Sequence, residues 1–256
     1  MCAASPARAR SSRSPPGSEN RGAGRWCEDR ARRGSEREAA HLEELDVGEV
    51  TGLGVESDGR MSNQPNEHRR PASQVGEGVT SLGTTLAIKL LSDQPVSDPN
   101  RGIYSHRIKE MWLPGGASNS GGGVLLDHFS SEQMSRMEKD LKPATPTGFD
   151  YYPLSRPGER FPIADPLFPP RLTPRPEDDV EFFQAMLEGI SEIERVGYSA
   201  LQQLGAPAVK RVFSAGGGAR NRAWMKIRSA KLGVPVADAK STNASVGAAR
   251  IAAGLI

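Results

Sequence analysis

The segment Val212-Phe-Ser-Ala-Gly-Gly-Gly-Ala-Arg-Asn-Arg-Ala-Trp224 places three glycines between a short apolar strand and a predicted helix. Glycine allows the backbone to turn tightly and to approach a ligand closely. The N-terminus of a helix presents free N–H groups and the positive end of the helix dipole, which suit a phosphate. The segment therefore predicts a phosphate or nucleotide site, with a plain glycine turn as the alternative interpretation.

The same glycines can be compared with the dinucleotide-binding fingerprint G-x-G-x-x-G. Gly216 and Gly218 match its first two glycines, but Asn221 stands at the third position. Asp238 lies at about the distance where an acidic residue would hold the ribose, yet it follows a strand that contains Pro235. A nicotinamide or flavin dehydrogenase is therefore disfavoured.

Composition divides the 256 residues unevenly. Residues 1–71 contain 12 Arg and 12 acidic residues, with almost no periodic apolar pattern. Such a segment buries too little apolar surface to offset the entropy lost on ordering, so we expect it to be disordered. Residues 72–256 are numerous enough to form a core of their own, and we expect the folded domain there.

Charge and cysteine usage exclude several classes of protein. The formal net charge of +2 gives no indication of a nucleic-acid or membrane partner. Cys2 and Cys27 lie in the first segment, and the four histidines show no metal-ligand spacing, so no metal site is expected. The sequence has no apolar run of membrane-spanning length and no signal-peptide core. We expect a cytoplasmic protein, with the plastid as the alternative because the first segment is rich in Ser, Ala and Arg.

The first half of the predicted domain is rich in strands. We expect a hairpin over 79–91 that turns at Gly83-Thr84-Thr85, and one or two strands over 103–113. A loop rich in glycine and serine is predicted over 114–123, followed by a short helical pattern through Lys139. The proline-dense segment 142–176 is expected to be irregular.

The second half alternates helices with strands. The clearest helix spans 178–204, where apolar residues recur at helical spacing. After it we expect, in order, a strand, a helix, a strand and a helix over 209–215, 219–232, 234–237 and 243–254. The alternation indicates an α/β layered domain.

Four pieces in the same order resemble the FGGY carbohydrate kinases. They are the Gly-Thr-Thr loop of 79–85, the loop 114–123, Leu187-Glu-Gly-Ile190, and the segment 215–224 together with 243–249. The resemblance covers residues 72–256 and corresponds to the C-terminal half of such an enzyme. It implies the actin-like, ribonuclease H-like ATPase fold. Segments 151–162 and 170–179 are similar to the plant and cyanobacterial subgroup that phosphorylates D-ribulose or D-xylulose.

The resemblance also implies a set of site residues. Thr84 and Thr85 would contact the ATP phosphates, and Gly121 would line the pocket. Gly217, Gly218 and Asn221 would hold the adenosine side. With the glycine of the phosphate loop, the implied nucleotide-binding residues are Gly83, Thr84, Thr85, Gly121, Gly217, Gly218 and Asn221. In-line phosphoryl transfer normally needs Mg²⁺ to bridge the phosphates. Lys89 is close to the loop in sequence, but we interpret it as a solvated or sheet-edge lysine.

One expected group is missing from the sequence pattern. Members of the family place an aspartate, the general base on the sugar hydroxyl, shortly before the Gly-Thr loop. Asn63, Glu67 and His68 stand in that region without matching neighbours, and Asp58 lies in a different context. We therefore name no catalytic residue and expect a truncated copy of a ketopentose kinase that lacks the sugar-binding half. The alternative is a non-catalytic module that binds a nucleotide or a partner. ATP and a small sugar are the expected ligands, and a homodimer is the expected assembly.

Overall fold

The computed structural model describes residues 74–108 and 110–239. Their centre is one six-stranded sheet with the strand order β3-β4-β2-β1-β5-β6. The strands are β1 (Glu77–Leu82), β2 (Leu86–Leu90), β3 (Tyr104–Ile108), β4 (Met111–Ala117), β5 (Arg211–Ala215) and β6 (Val236–Asp238). The predicted disordered segment 1–71 and the predicted last helix 243–254 lie outside the described residues.

The sheet is mixed. β1 pairs antiparallel with β2, β2 with β4 and β4 with β3, whereas β1–β5 and β5–β6 are parallel. Antiparallel neighbours need only short turns, but parallel neighbours need crossover connections. Helices supply these crossovers, so the strand-rich first half and the alternating second half of the sequence form one sheet. The α/β prediction is confirmed.

Four α-helices of the described ranges accompany the sheet. They are α1 (Gly122–Leu126), α2 (Ser131–Met137), α3 (Asp179–Gln203) and α4 (Arg222–Leu232), with 3₁₀ turns at Pro99–Arg101, Glu138–Asp140 and Gly217–Arg220. The carboxylate of Asp178 caps α3 by accepting a hydrogen bond from the Val180 N–H. The predicted helix over 178–204 is thus confirmed to within one residue at each end. None of the described helices has both the length and the apolar character needed to cross a membrane.

α3 lies very close to one face of the sheet. A Cβ on Gly78 of β1 would be 2.5 Å from the hydroxyl of Tyr198 on α3, so only glycine fits there. Side chains alternate between the two faces of a strand. Thr80 therefore faces α3, whereas Val79 joins Leu113 and Phe213 in a separate buried cluster. Apolar side chains are buried on both faces of the sheet.

Two sequence-based boundaries are wrong. The loop predicted from Pro114 begins later, because Pro114–Ala117 continue β4. The glycines there serve packing: a Cβ on Gly115 would collide with the Ile88 carbonyl, and one on Gly116 with the Phe161 ring. The helix predicted from Ala219 begins only at Arg222, because residues 217–220 form a 3₁₀ turn.

The proline-dense segment 142–176 contains no helix or named strand, as expected. The buried carboxylate of Glu159 ties it to the loop after β4. Glu159 accepts hydrogen bonds from the Ser118 hydroxyl (2.6 Å), the Asn119 N–H (2.7 Å) and the Tyr152 hydroxyl (2.8 Å). Burial, together with the negative charge of Glu159, raises the pKa of Tyr152 above its usual range.

Candidate functional site

The turn between β1 and β2 consists of Gly83, Thr84 and Thr85. The loop that precedes α1 is seated directly on it through the backbone. Gly122 and Gly123 donate N–H groups to the carbonyls of Gly83 (2.9 Å) and Thr84 (2.8 Å). The predicted Gly83–Thr85 turn and the predicted glycine-rich loop before α1 are therefore in contact.

Gly121 makes this contact possible. Its φ is +147°, a conformation that residues with a side chain rarely adopt. A Cβ on Gly121 would also be 2.7 Å from backbone atoms of Thr85. Gly121 and Thr85 thus form the junction between the loops. The pocket described below is lined by the adjacent residues Gly122 and Thr84 instead.

The triple-glycine loop after β5 approaches the same turn from the other side. Gly216 has φ +83°, and a Cβ on it would be 2.7 Å from the Leu82 carbonyl group. A Cβ on Gly218 would be 2.5 Å from the Trp224 ring and 2.9 Å from the Leu82 Cβ. A Cβ on Gly217, in contrast, would meet no atom within 4 Å. Two of these glycines are needed for packing, and only Gly217 borders open space.

The N-terminus of α4 is already capped by side chains of this chain. Asn221 accepts a hydrogen bond from the Trp224 N–H (2.8 Å), and the Glu138 carboxylate accepts one from the Arg222 N–H (2.8 Å). A carboxylate at this position also interacts favourably with the helix dipole. The N–H groups of Arg222 and Trp224 are therefore not free for a phosphate.

A pocket of about 560 Å³ lies where the turn, the loop before α1 and the triple-glycine loop meet. Five of the seven predicted residues line it, namely Gly83, Thr84, Gly217, Gly218 and Asn221. Its apolar lining comes from Leu82, Leu125, Leu126, Met134, Phe183, Leu187 and Trp224. A ligand that has both an apolar part and polar groups fits such a lining.

Sequence reasoning missed the two charged residues of this pocket. Glu138 and Arg220 are the charged side chains among its described lining residues. Arg220 directly precedes Asn221 in the triple-glycine segment 212–224, so its position next to this motif could have indicated that it lines the pocket. Glu138 lies more than 80 positions earlier, and only the folded structure brings it to α4.

Lys89 differs from its interpretation as a solvated or edge residue. It lies on β2 between β1 and β4, and only 2% of its surface is exposed. Its ammonium group is 3.9 Å from the centre of the Tyr104 ring, a cation–π contact. Lys89 is not among the residues that line the pocket.

A buried ion pair holds together the strands and helices that carry these loops. The Arg228 guanidinium on α4 donates to both carboxylate oxygens of Glu194 on α3, each at 2.7 Å. Glu194 also accepts from the Thr80 hydroxyl of β1 (2.6 Å), and Arg228 donates to the Ser214 hydroxyl of β5 (2.6 Å). The network therefore joins β1 and β5, from whose ends two of the three loops emerge.

This sheet and its loops can be compared with those of known proteins. Residues 78–255 match the C-terminal domain of the FGGY family of carbohydrate kinases. The gluconokinase of Bacillus subtilis is 28% identical in an alignment of 196 positions that covers 68% of this chain and 36% of that protein. The chain thus spans about a third of the length of the curated relatives it matches.

Solved structures agree on the fold. The xylulose kinase of Bifidobacterium adolescentis has a TM-score of 0.60 at 22% identity, covering 81% of this chain and 39% of that one. A glycerol kinase of Plasmodium falciparum, solved with ADP, has a TM-score of 0.53 at 13% identity, covering 81% and 40%. The sheet order and the three converging loops are consistent with this fold. Because residues 78–255 match the C-terminal domain of the FGGY family of carbohydrate kinases, the chain belongs to that family.

Proposed function

We propose that this chain is the nucleotide-binding half of an ATP-dependent sugar kinase, and that the 560 Å³ pocket holds ATP. The observation that carries the proposal is the convergence of three glycine-containing loops from distant parts of the sequence on one pocket. Backbone that lacks side chains lets a ligand approach closely. The family membership supports the same chemistry.

The lining favours one orientation of the nucleotide. The Gly83–Thr85 turn takes the phosphates, since Thr84 is exposed there and a hydroxyl can donate to a phosphate oxygen. Thr85 and Gly121 hold this turn in place. Gly217, Gly218 and Asn221 take the adenosine side, where Leu125, Met134 and Phe183 provide an apolar surface for the base.

Magnesium does not have a preformed protein site among the described residues. No group of three or more metal-ligating side chains occurs in the described ranges. Mg²⁺ prefers carboxylate, phosphate and water oxygens, and Glu138 supplies the carboxylate among the described lining residues of the pocket. The metal would arrive with the phosphates of ATP.

For the acceptor we propose a ketopentose, D-ribulose or D-xylulose, on the resemblance of segments 151–162 and 170–179 to the plant and cyanobacterial subgroup. The curated relatives named here are gluconokinases, so gluconate should be tested as an acceptor beside the two ketopentoses. The region around Asn63 and Glu67, where the family places its general-base aspartate, lies outside the described residues. Cytoplasmic location, with the plastid as alternative, and a homodimer remain predictions.

Calorimetry of ATP and ADP binding to the 256-residue chain tests the nucleotide proposal. Gly217→Val places a branched side chain at the pocket border, where an added Cβ meets no atom within 4 Å, so we expect at least about tenfold weaker ATP binding and little change in melting temperature. Ala144→Val, at an exposed loop position, is the matched control. Equal ATP affinity of the Gly217→Val variant and the control would contradict the placement of ATP.

A second assay measures ADP release in the presence of D-ribulose, D-xylulose or gluconate. We expect no sugar-dependent release from this chain alone, because the matched region corresponds to the C-terminal domain of the family. Release with one of the sugars would identify the acceptor and contradict the expected inactivity. Absence of any ATP or ADP binding would contradict both the kinase proposal and a nucleotide-binding module, leaving a partner-binding module.

A further inference from the structure

Glu138 is held in a defined position on the wall of the pocket. It follows α2 and begins the 3₁₀ turn Glu138–Asp140. Its Oε1 accepts the backbone N–H of Arg222 at 2.8 Å, which fixes the carboxylate against the first turn of α4. Asn221, the cap of the same helix, lines the pocket beside it. A carboxylate restrained in this way is already oriented when a ligand enters.

The chemistry of a carboxylate restricts what Glu138 can contact. An ionised carboxylate accepts up to about four hydrogen bonds and donates none. It repels phosphate groups, so the phosphates of a bound nucleotide lie elsewhere, in agreement with their proposed position at Gly83 and Thr84. The groups of ATP that donate hydrogen bonds are the ribose hydroxyls and the 6-amino group of adenine. All of them belong to the nucleoside end.

We propose that Glu138 orients the nucleotide by accepting a hydrogen bond from a donor group of the nucleoside. This inference rests on the proposed function, since it assigns a role within the ATP pocket. It goes further by naming a specificity-determining residue that lies outside every glycine motif. The same carboxylate excludes nucleotides that carry a negative group at that position, because two like charges in one pocket repel.

The test combines variants with nucleotide analogues. Relative to ATP, the analogues 2′-deoxy-ATP, 3′-deoxy-ATP and purine riboside triphosphate each lack one donor group. The dissociation constants of ATP and these analogues are measured by calorimetry for the full chain, for Glu138→Ala and for Glu138→Gln. Glu138→Gln keeps an acceptor for the Arg222 N–H, so it separates the loss of charge from the loss of the helix cap. Glu132→Gln, exposed on α2, is the matched control.

We expect Glu138→Ala to weaken ATP binding by about 10- to 100-fold, the range for a hydrogen bond to a charged group. For the analogue that lacks the contacted donor, the same substitution should change affinity by less than about twofold. That analogue identifies the group as a ribose hydroxyl or the adenine amine. The control should bind all four nucleotides as the unaltered chain does.

Two results would overturn the inference. An equal loss of affinity for all four nucleotides in Glu138→Ala would mean that Glu138 acts only through the position of α4. Unchanged affinity for all four would mean that it makes no contact. If the unaltered chain bound no nucleotide at all, the proposed function itself would fail, and that outcome is distinct from the other two.

Discussion

Glu194 and Arg228 form a two-point ion pair in which neither side chain has any exposed surface. Each of the two N–H···O distances is 2.7 Å. The Thr80 hydroxyl also donates to Glu194, and Arg228 also donates to the Ser214 hydroxyl. A buried charge pair of this kind stabilises a fold only while both partners are present, because removing one leaves the other uncompensated in a medium of low dielectric constant.

Substituting Arg228 by Met should therefore lower the free energy of unfolding by about 3–5 kcal/mol. Urea unfolding followed by circular dichroism measures the change. The double variant Arg228→Met with Glu194→Leu removes both charges and should be more stable than Arg228→Met alone. If the two variants were equally destabilised, uncompensated charge would not be the cause.

Tyrosine ionisation should make the fold sensitive to alkaline pH. Burial, then the charge of Glu194, raises the pKa of Tyr198 above its ordinary value of about 10. A folded-state pKa that is raised above the unfolded value favours folding below about pH 10, and this contribution is lost as the pH rises further. The urea midpoint should thus fall between pH 9 and pH 11, and fall less in Tyr198→Phe. An equal fall in both proteins would contradict this assignment.

Gly121→Ala should destabilise the chain by at least about 2 kcal/mol, since alanine is strained at φ +147° and its Cβ would meet the Thr85 backbone. Gly217→Ala is the matched control, with no positive φ and no atom within 4 Å of the added Cβ. Its free energy of unfolding should change by no more than about 0.5 kcal/mol. Similar losses in the two variants would mean that the junction of the loops imposes no special constraint.

Glu159→Gln should loosen the loop after β4. The amide NH₂ group would replace one of the two carboxylate oxygens, so it would face either the Ser118 and Tyr152 hydroxyls or the Asn119 N–H, all of which now donate to Glu159. The expected cost is about 2–3 kcal/mol, and hydrogen exchange at Leu86 and Gly122 should become faster because both N–H groups bond across this junction. Exchange that is faster everywhere by one common factor would instead indicate only a global loss of stability.

Sequence patterns predicted the parts of the fold that depend on local periodicity. The apolar residues of α3 recur at helical spacing, and Gly83-Thr84-Thr85 separate two β-rich runs, so both elements were found. The loop predicted from Pro114 was wrong because glycines such as Gly115 and Gly116 occur both in loops and in strands that pack closely against neighbouring atoms. In the strand, the reason for glycine lies in Ile88 and Phe161, which are distant in sequence.

The site was predictable to a similar degree. Thr84, Gly217 and Asn221 belong to compact motifs, and the structure brings them to one pocket. Glu138 and the Arg228–Glu194 pair could not be found, because their significance depends on partners more than 30 positions away. Lys89 was misjudged for the same reason, since nothing in its neighbouring residues reveals that β2 is a central strand.

The contact between the turn and the loop before α1 has a consequence for the opposite edge of the turn. In a trans peptide unit, the N–H and C=O groups point in opposite directions. The carbonyls of Gly83 and Thr84 both point toward Gly122 and Gly123. The amide hydrogens of Thr84 and Thr85, which share those peptide planes, are therefore directed away from that loop. The loop before α1 thus sets the direction of two successive amide hydrogens on the side of the turn that it does not contact.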